Sequence, residues 1–142
     1  MLFRSLTLLI TAIGHDVGHP GVNNMFLIKI KAPLARLFND KSVLESYHSA
    51  VYCHMLKKLW PAVVDNEEMK LLLTSSILST DMGIHGDYME KLASLQESVR
   101  KLGDQPVPNE SLKTYRHIAC NLLIKCADIS NVVSHNLSTV SS

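Results

Sequence analysis

An all-α fold is predicted, and three observations predict it. Apolar residues recur at helical spacing in several segments, and no stretch shows the strict alternation of a half-buried strand. The chain also carries only 6 Gly and 5 Pro with 6% aromatic residues, a composition that leans toward helices rather than a turn-rich sheet protein. At 142 residues, with 46% hydrophobic and 19% charged, it is long enough for one buried core and too apolar for disorder.

Each element has a local reason. Ser5–His15 is apolar almost all round, which predicts a buried helix. It must end near Gly18 and Pro20, where a breaker meets a ring without an N–H. Asn23–Lys31 reads as a short helix, and Pro33 opens a short turn through Phe38. Ser42 starts a longer helix to about Leu59, with Leu44, Tyr47, Val51, Met55 and Leu59 on one stripe; Pro61 closes it. Asp65 is the expected cap of the next segment, with Glu68 as its capping-box partner. That segment runs to at least Met82, and its pattern permits one long helix to Val99. Gly103–Asn109, with Pro106 and Pro108, reads as a loop. A last helix from about Glu110 carries Ile118, Leu122 and Ile124 and is expected to end near Ser130 and Asn131. The remaining VVSHNLSTVSS reads as a frayed polar tail. No internal repeat is visible.

Charge and cysteine content narrow the classes. Fourteen Lys+Arg against 13 Asp+Glu leave a net charge of +1, without the basic field of a nucleic-acid binder or an acidic tail. Three cysteines, Cys53, Cys120 and Cys126, are an odd number without C-x-x-C spacing. A disulfide framework and a thiolate zinc knuckle are therefore not expected, and a reducing cytosol is. The start, MLFRSLTLLITAI, has no small-x-small cleavage site and reads as a helix rather than a signal. The apolar stretches Ser5–His15 and Leu71–Thr80 fall well short of the roughly 18–20 residues of a membrane span.

The chemistry begins at His15-Asp16. An imidazole and a carboxylate sit side by side at the end of an apolar helix, with His19 four residues on. A divalent metal could satisfy both groups. Alternatively, Asp16 accepts from turn N–H groups and His19 is a surface residue; the residues alone leave both readings open. Asp128, in LLIKCADISN, follows an apolar helical run, where a negative charge opposes the helix dipole. That frustration points to a cation nearby. His15, Asp16 and Asp128 together form a candidate metal site, distant in sequence and adjacent in space.

The run GHDVGHPGVNNMFLI (Gly14–Ile28), followed by PLARLFND, SVLESYHSAV, STDMGIH and IKCADISN, resembles the class I 3′,5′-cyclic nucleotide phosphodiesterases. The resemblance spans about residues 5–133, with the motifs in family order. It implies a multi-helix domain of the HD type. Two divalent metals, usually zinc and magnesium (or manganese), activate a hydroxide that attacks the phosphorus of cyclic AMP or cyclic GMP, in cyclic-nucleotide signalling. Carried over by position, His15 and Asp16 resemble ligands of the first metal, with Asp16 bridging to the second, and Asp128 resembles the remaining carboxylate ligand. His19, Glu45 and Thr80 match positions that hold waters of the second metal. His48 matches a site-wall histidine, and Asn131 a polar residue near the nucleotide.

Ordinary roles compete with these. Ser42-Val43-Leu44-Glu45 is also a capping box, which the pattern alone favours for Glu45. His48, one turn on, can pair with Glu45 on the helix face, and Asp81 can pair with His85 at i, i+4. Thr80 can bond back to its own helix. His54 and His117 read as surface or packing residues, and His135 as solvated.

The sequence also departs from the family pattern. Gly18 stands where many members have an acidic residue, a feature resembling fungal versions. The resemblance places the proton-donating His, and another His ligand, in a motif upstream of the His-Asp helix, and a purine-gripping Gln downstream of Asp128. Neither motif is in this sequence, so no residue is assigned as the general acid. The expectation is a partial catalytic domain over residues 1–133, incomplete at both ends, with residues 134–142 off the pattern. Such a chain is expected to be a weak or dead catalyst alone, since a lost ligand costs at least about 10–100-fold and a lost general acid a further ~10²–10⁴-fold. Two other readings stand beside it: another HD-type metal-dependent phosphohydrolase, and a non-catalytic interaction fragment. Cyclic AMP against cyclic GMP preference and oligomeric state are not read from these residues.

Overall fold

The computed structural model describes the backbone of residues 2–103 and 106–138, and side chains within 3–103 and 106–130. Eight α-helices follow one another among the described residues, with no strand. They are α1 (Leu2–Gly14), α2 (Asn24–Lys29), α3 (Pro33–Leu37), α4 (Val43–Leu59), α5 (Pro61–Asp65), α6 (Glu67–Ser79), α7 (His85–Leu102) and α8 (Asn109–Ser138). A short 3-10 turn, Met82–Ile84, separates α6 from α7.

The cap chemistry explains most boundaries. Asn23 caps α2 by accepting the Phe26 N–H at 2.9 Å, and Pro33 stands at the start of α3, where its missing N–H costs nothing. Pro61 does more than end α4: it opens α5. The cap of α6 is Asn66, accepting from the Met69 N–H at 3.0 Å, one residue beyond the expected Asp65. Asp65 ends α5 and pairs instead with Lys57.

Three helices differ from the pattern reading. First, α1 is not buried all round. Thr7, Ile10, Thr11 and Gly14 face inward, while Leu9 is 65% and Ile13 84% exposed. Its two buried threonines return their hydroxyls to carbonyls four residues back, each at 2.8 Å, so a polar face can pack without unpaired groups. Second, the inward stripe of α4 is shifted by one residue. Leu44, His48, Tyr52 and Leu56 are buried, whereas Met55 and Leu59 are exposed. Third, no single helix runs from 67 to 99. Lys125 Nζ donates to the carbonyls of Ser79 and Asp81, each at 2.8 Å, and so takes up acceptors that a continuing helix would need.

The polar tail is helical to Ser138, because no Gly or Pro follows Pro108 to interrupt it. The side chains there lie outside the described residues.

The core is built where α1, α4, α5 and α6 meet, around Ile10, Tyr52, Val63, Leu73 and Ile77. A second small cluster, Leu27, Ala35, Val43 and Leu44, fixes α2 and α3 against the start of α4. The α6–α8 interface is polar. Asn121, 3% exposed, accepts from Ser76 Oγ at 2.8 Å and Ser75 Oγ at 3.2 Å, and its amide donates to Tyr88 Oη at 3.4 Å. These contacts hold α8, and with it Asp128, alongside the end of α1.

Candidate metal centre and adjoining cleft

Gly14 and Tyr52 set the position of His15. A Cβ on Gly14 would lie 2.1 Å from the Tyr52 ring, so only glycine lets the end of α1 sit flat on α4. Tyr52 Oη donates to the Ile10 carbonyl at 2.8 Å, locking the contact. The chain then leaves the helix through a turn in which Gly18 takes φ 73, a conformation that glycine adopts without strain.

The turn delivers three donors to one place. His15 Nδ1 lies 3.0 Å from the Ala12 carbonyl; a carbonyl only accepts, so Nδ1 carries a hydrogen and Nε2 is the ring nitrogen left for a ligand. That nitrogen faces Asp128 Oδ1 at 3.3 Å and Asp16 Oδ2 at 3.4 Å. All three donor atoms lie within 4.8 Å of one another. An imidazole nitrogen set between two carboxylates is a donor set that a divalent cation can share. A tetrahedral ion with bonds of about 2.0–2.1 Å separates its donors by roughly 3.3–3.4 Å, so the residues present fit a zinc-like ion. The Nδ1–carbonyl bond is the outer contact that orients a histidine ligand.

Asp16 uses its two oxygens differently. While Oδ2 faces His15, Oδ1 lies 3.7 Å from His48 Nδ1. His48 is 2% exposed, and neither ring nitrogen has a hydrogen-bond partner among the described residues. Burial pushes its pKa below the ordinary histidine range, against the pull of Asp16. The expected pairing of His48 with Glu45 is not made. His19 stacks obliquely on His48 with ring centroids 5.5 Å apart, and its Nδ1 accepts the Gly21 N–H at 3.0 Å.

Glu45 does not close a capping box. Ser42, with φ 40, makes no side-chain cap and donates instead to Asp81 Oδ2 at 2.7 Å. The start of α4 is capped from α2: Asn24 Oδ1 accepts the Leu44 N–H at 2.8 Å, and Asn24 Nδ2 donates to Glu45 Oε2 at 2.9 Å. Burial raises the Glu45 carboxyl above its ordinary value, with the Asn24 bond opposing. Asp81 does not pair with His85; it starts the 3-10 turn by accepting the Gly83 N–H at 2.7 Å. Thr80 Oγ1 donates to its own helix at the Ile77 carbonyl, 2.7 Å away. His19, Glu45 and Thr80 nevertheless border one cleft of about 1040 Å³, together with Asn24, Asp81 and Met82.

Other histidines settle simply. His54 is exposed. His117 is half-buried in the α6–α8 interface, 2.7 Å from Ser75 Oγ. The side chains of Asn131 and His135 lie outside the described residues. Sequence reasoning missed Asn24, Asn121 and Lys125. Lys125 carried a readable signal, since a lysine three residues after Leu122 and seven after Ile118 lies on the helix face that packs inward.

The sequence profile of the family described as 3′5′-cyclic nucleotide phosphodiesterase matches residues 2–138. The chain belongs to this family. Among its members, the 3′,5′-cyclic-nucleotide phosphodiesterase 2 of Saccharomyces cerevisiae is 34% identical over 130 residues, covering 91% of this chain and 22% of the yeast protein. The human high affinity cAMP-specific and IBMX-insensitive 3′,5′-cyclic phosphodiesterase 8A is 34% identical, with 87% of this chain and 17% of the human protein covered. The crystal structure of yeast caPDE2 superposes with a TM-score of 0.78 at 42% identity, covering 92% of this chain and 25% of that one. The phosphodiesterase domain of the Salpingoeca rosetta rhodopsin phosphodiesterase gives a TM-score of 0.74 at 31% identity, over 91% of this chain and 40% of that one. The chain thus spans about a fifth of the length of the curated relatives it matches. The all-α architecture agrees with these phosphodiesterase structures. Among the described residues no helix is long and apolar enough to cross a membrane.

Proposed function

We propose that this chain carries the metal-holding part of a phosphodiesterase that hydrolyses 3′,5′-cyclic nucleotides to 5′-nucleotides in cyclic-nucleotide signalling. One observation carries the reading: His15 Nε2 faces carboxylate oxygens of Asp128 and Asp16 at 3.3 and 3.4 Å, with Nδ1 already committed to the Ala12 carbonyl. His15, Asp16 and Asp128 would hold a first divalent ion, preferably zinc. Asp16, whose two oxygens face different neighbours, would reach toward a second, magnesium or manganese. Bound there, such ions neutralise phosphate charge and supply a hydroxide at neutral pH.

The chain's own side chains do the positioning. His48, buried and neutral, offers an N–H beside Asp16 without adding charge. Glu45 is oriented by Asn24, and with His19 and Thr80 it borders the cleft, where these three would hold waters of the second ion. The volume of that cleft, about 1040 Å³, matches the upper range of small-molecule sites. Asn131 is assigned to the nucleotide side by its place in the motif. Residues 1–133 form the family unit in this reading and 134–142 lie off its pattern. The three cysteines are unpaired thiols, which supports a reducing cytosolic setting.

Zinc titration tests the metal assignment, and hydrolysis of cyclic AMP and cyclic GMP tests the reaction. The 142 residues assayed alone should bind zinc, yet turn over at least ~10²-fold more slowly than an intact family enzyme, because no side chain among them is assigned to protonate the leaving oxygen. A folded chain that ignores zinc would refute the assignment.

A further inference from the structure

Lys125 is the one buried ammonium among the described residues, at 2% exposure, and it contacts no carboxylate directly. Its Nζ donates to the Ser79 carbonyl at 2.8 Å and the Asp81 carbonyl at 2.8 Å, and lies 5.9 Å from the centre of the Tyr88 ring. Burying an ammonium is costly unless its hydrogens are used; a methionine of similar length would avoid that cost but leave both carbonyls without their donor. The two acceptors bracket Thr80. The carboxylate of Asp81 continues the connection by accepting from Ser42 Oγ at 2.7 Å, and Ser42 stands one turn before Glu45. Lys125 itself lies one turn before Asp128 on α8. A single polar chain therefore joins the helix of Asp128, the turn of Thr80 and the start of the helix of Glu45.

We propose that Lys125 is a positioning residue: through Asp81 and Ser42 it holds these three segments in one frame around the candidate metal centre. The inference rests on the metal reading above, and it assigns Lys125 no contact with substrate or metal.

Amide hydrogen exchange on the metal-free 142-residue chain tests the frame, and visible absorption of the cobalt-loaded chain tests its effect on the centre. Lys125→Met should keep its helical circular dichroism. Its amides at Thr80–Ile84 and Ser42–Glu45 should exchange at least tenfold faster, while those around Tyr52 and Leu73 stay unchanged. The cobalt bands should shift or change intensity in the same variant. Uniform acceleration, no acceleration, or an unaltered cobalt spectrum would each overturn the proposal. Should Lys125→Met fail to fold, Ser42→Ala decides: faster exchange confined to Met82–Ile84 and the first turn of α4, with a changed cobalt spectrum, supports the frame, and its absence overturns it. If the unaltered chain gives no cobalt spectrum at all, the metal reading fails and the positioning role falls with it. A normal wild-type spectrum with no effect of either variant removes the role of Lys125 alone.

Discussion

Replacing Asp128 with asparagine isolates the metal assignment from the fold. Asparagine keeps the shape but removes a charged donor 3.3 Å from His15 Nε2. In the metal-free chain the effect is small. The Asp128 side chain is more than one-third exposed, so its coupling to His15 is worth at most about 1 kcal/mol in either direction. Unfolding entropy of about 2.1 cal/mol/K per residue gives roughly 0.3 kcal/mol/K for 142 residues, and the melting temperature should change by less than ~3 °C. Zinc separates the two proteins. At a free concentration 100 times its dissociation constant, zinc stabilises the native chain by about 2.7 kcal/mol, or ~9 °C. Losing one of three ligands weakens binding at least about 100-fold. The same zinc concentration then stabilises the variant by only ~0.4 kcal/mol, between 1 and 2 °C. Thermal melts followed by circular dichroism, with zinc and with chelator, measure both shifts. A variant whose zinc-induced shift equals the wild type's would refute Asp128 as a ligand, and the fit of the three donors would then be coincidental.

Further expectations concern the groups around that centre. Glu45→Gln should raise the melting temperature of the metal-free chain at pH 7, because burial holds the Glu45 carboxyl above its ordinary value and its ionised form is disfavoured by folding. The same change should weaken binding of a second divalent ion in a titration of the zinc-loaded chain. Gly14→Ala drives a methyl into the Tyr52 ring and should destabilise by about 1–3 kcal/mol or more; denaturant unfolding measures it, and a neutral result would deny the close approach of α1 to α4. Asn121→Ala strands the fully buried Ser76 hydroxyl, at a cost of ~1–3 kcal/mol. Adding Ser76→Ala should recover part of that loss, and strict additivity in the double-mutant cycle would contradict the bond. His117 is held below the ordinary histidine range by burial and by Arg4. The unfolded chain therefore binds the extra proton first as pH falls below about 6.5. Stability should be intact above that pH and decline toward the lower folded value. His117→Gln should flatten this acid slope in melts between pH 7 and 5.

How much of this was legible in the sequence depends on the range of the interaction. Helix existence follows from local spacing, and α2, α3, α4 and α8 begin within one residue of their expected starts. The break at Thr80 was not legible, because its cause lies on α8: Lys125 occupies the carbonyls of Ser79 and Asp81 across more than 40 residues. The capping box at Ser42 failed for a similar reason. Its local geometry was plausible, but Asn24 reaches the Leu44 N–H from another helix and leaves Ser42 free to bond Asp81. The stripe of α4 was misread by one position because the pattern method looks for apolar residues inside. His48 is inside, and it belongs to the candidate site rather than to the core.

These misreadings have a common physical origin. Periodicity assumes that buried positions maximise apolar contact, and each exception is a polar or ionisable group taken out of water. Among the described residues His48 is buried with both nitrogens unpartnered, Glu45 is held where its charge is disfavoured, and burial lowers the Lys125 pKa against the pull of Asp81 and Asp128. An unsatisfied buried polar group such as His48 costs about 1–3 kcal/mol, and the hydrogen bonds of Glu45 and Lys125 only offset the desolvation of their charges. That is a sizeable burden for a domain whose whole stability is of order 5–15 kcal/mol. Packing gives no reason to retain them. A divalent centre would: cations there would attract the Asp16 and Glu45 carboxylates, favour a neutral His48 over a charged one, and use the frame proposed for Lys125. On this argument, zinc should reduce the cost of burying Glu45, and the stability gained by Glu45→Gln without metal should shrink or reverse when both ions are bound.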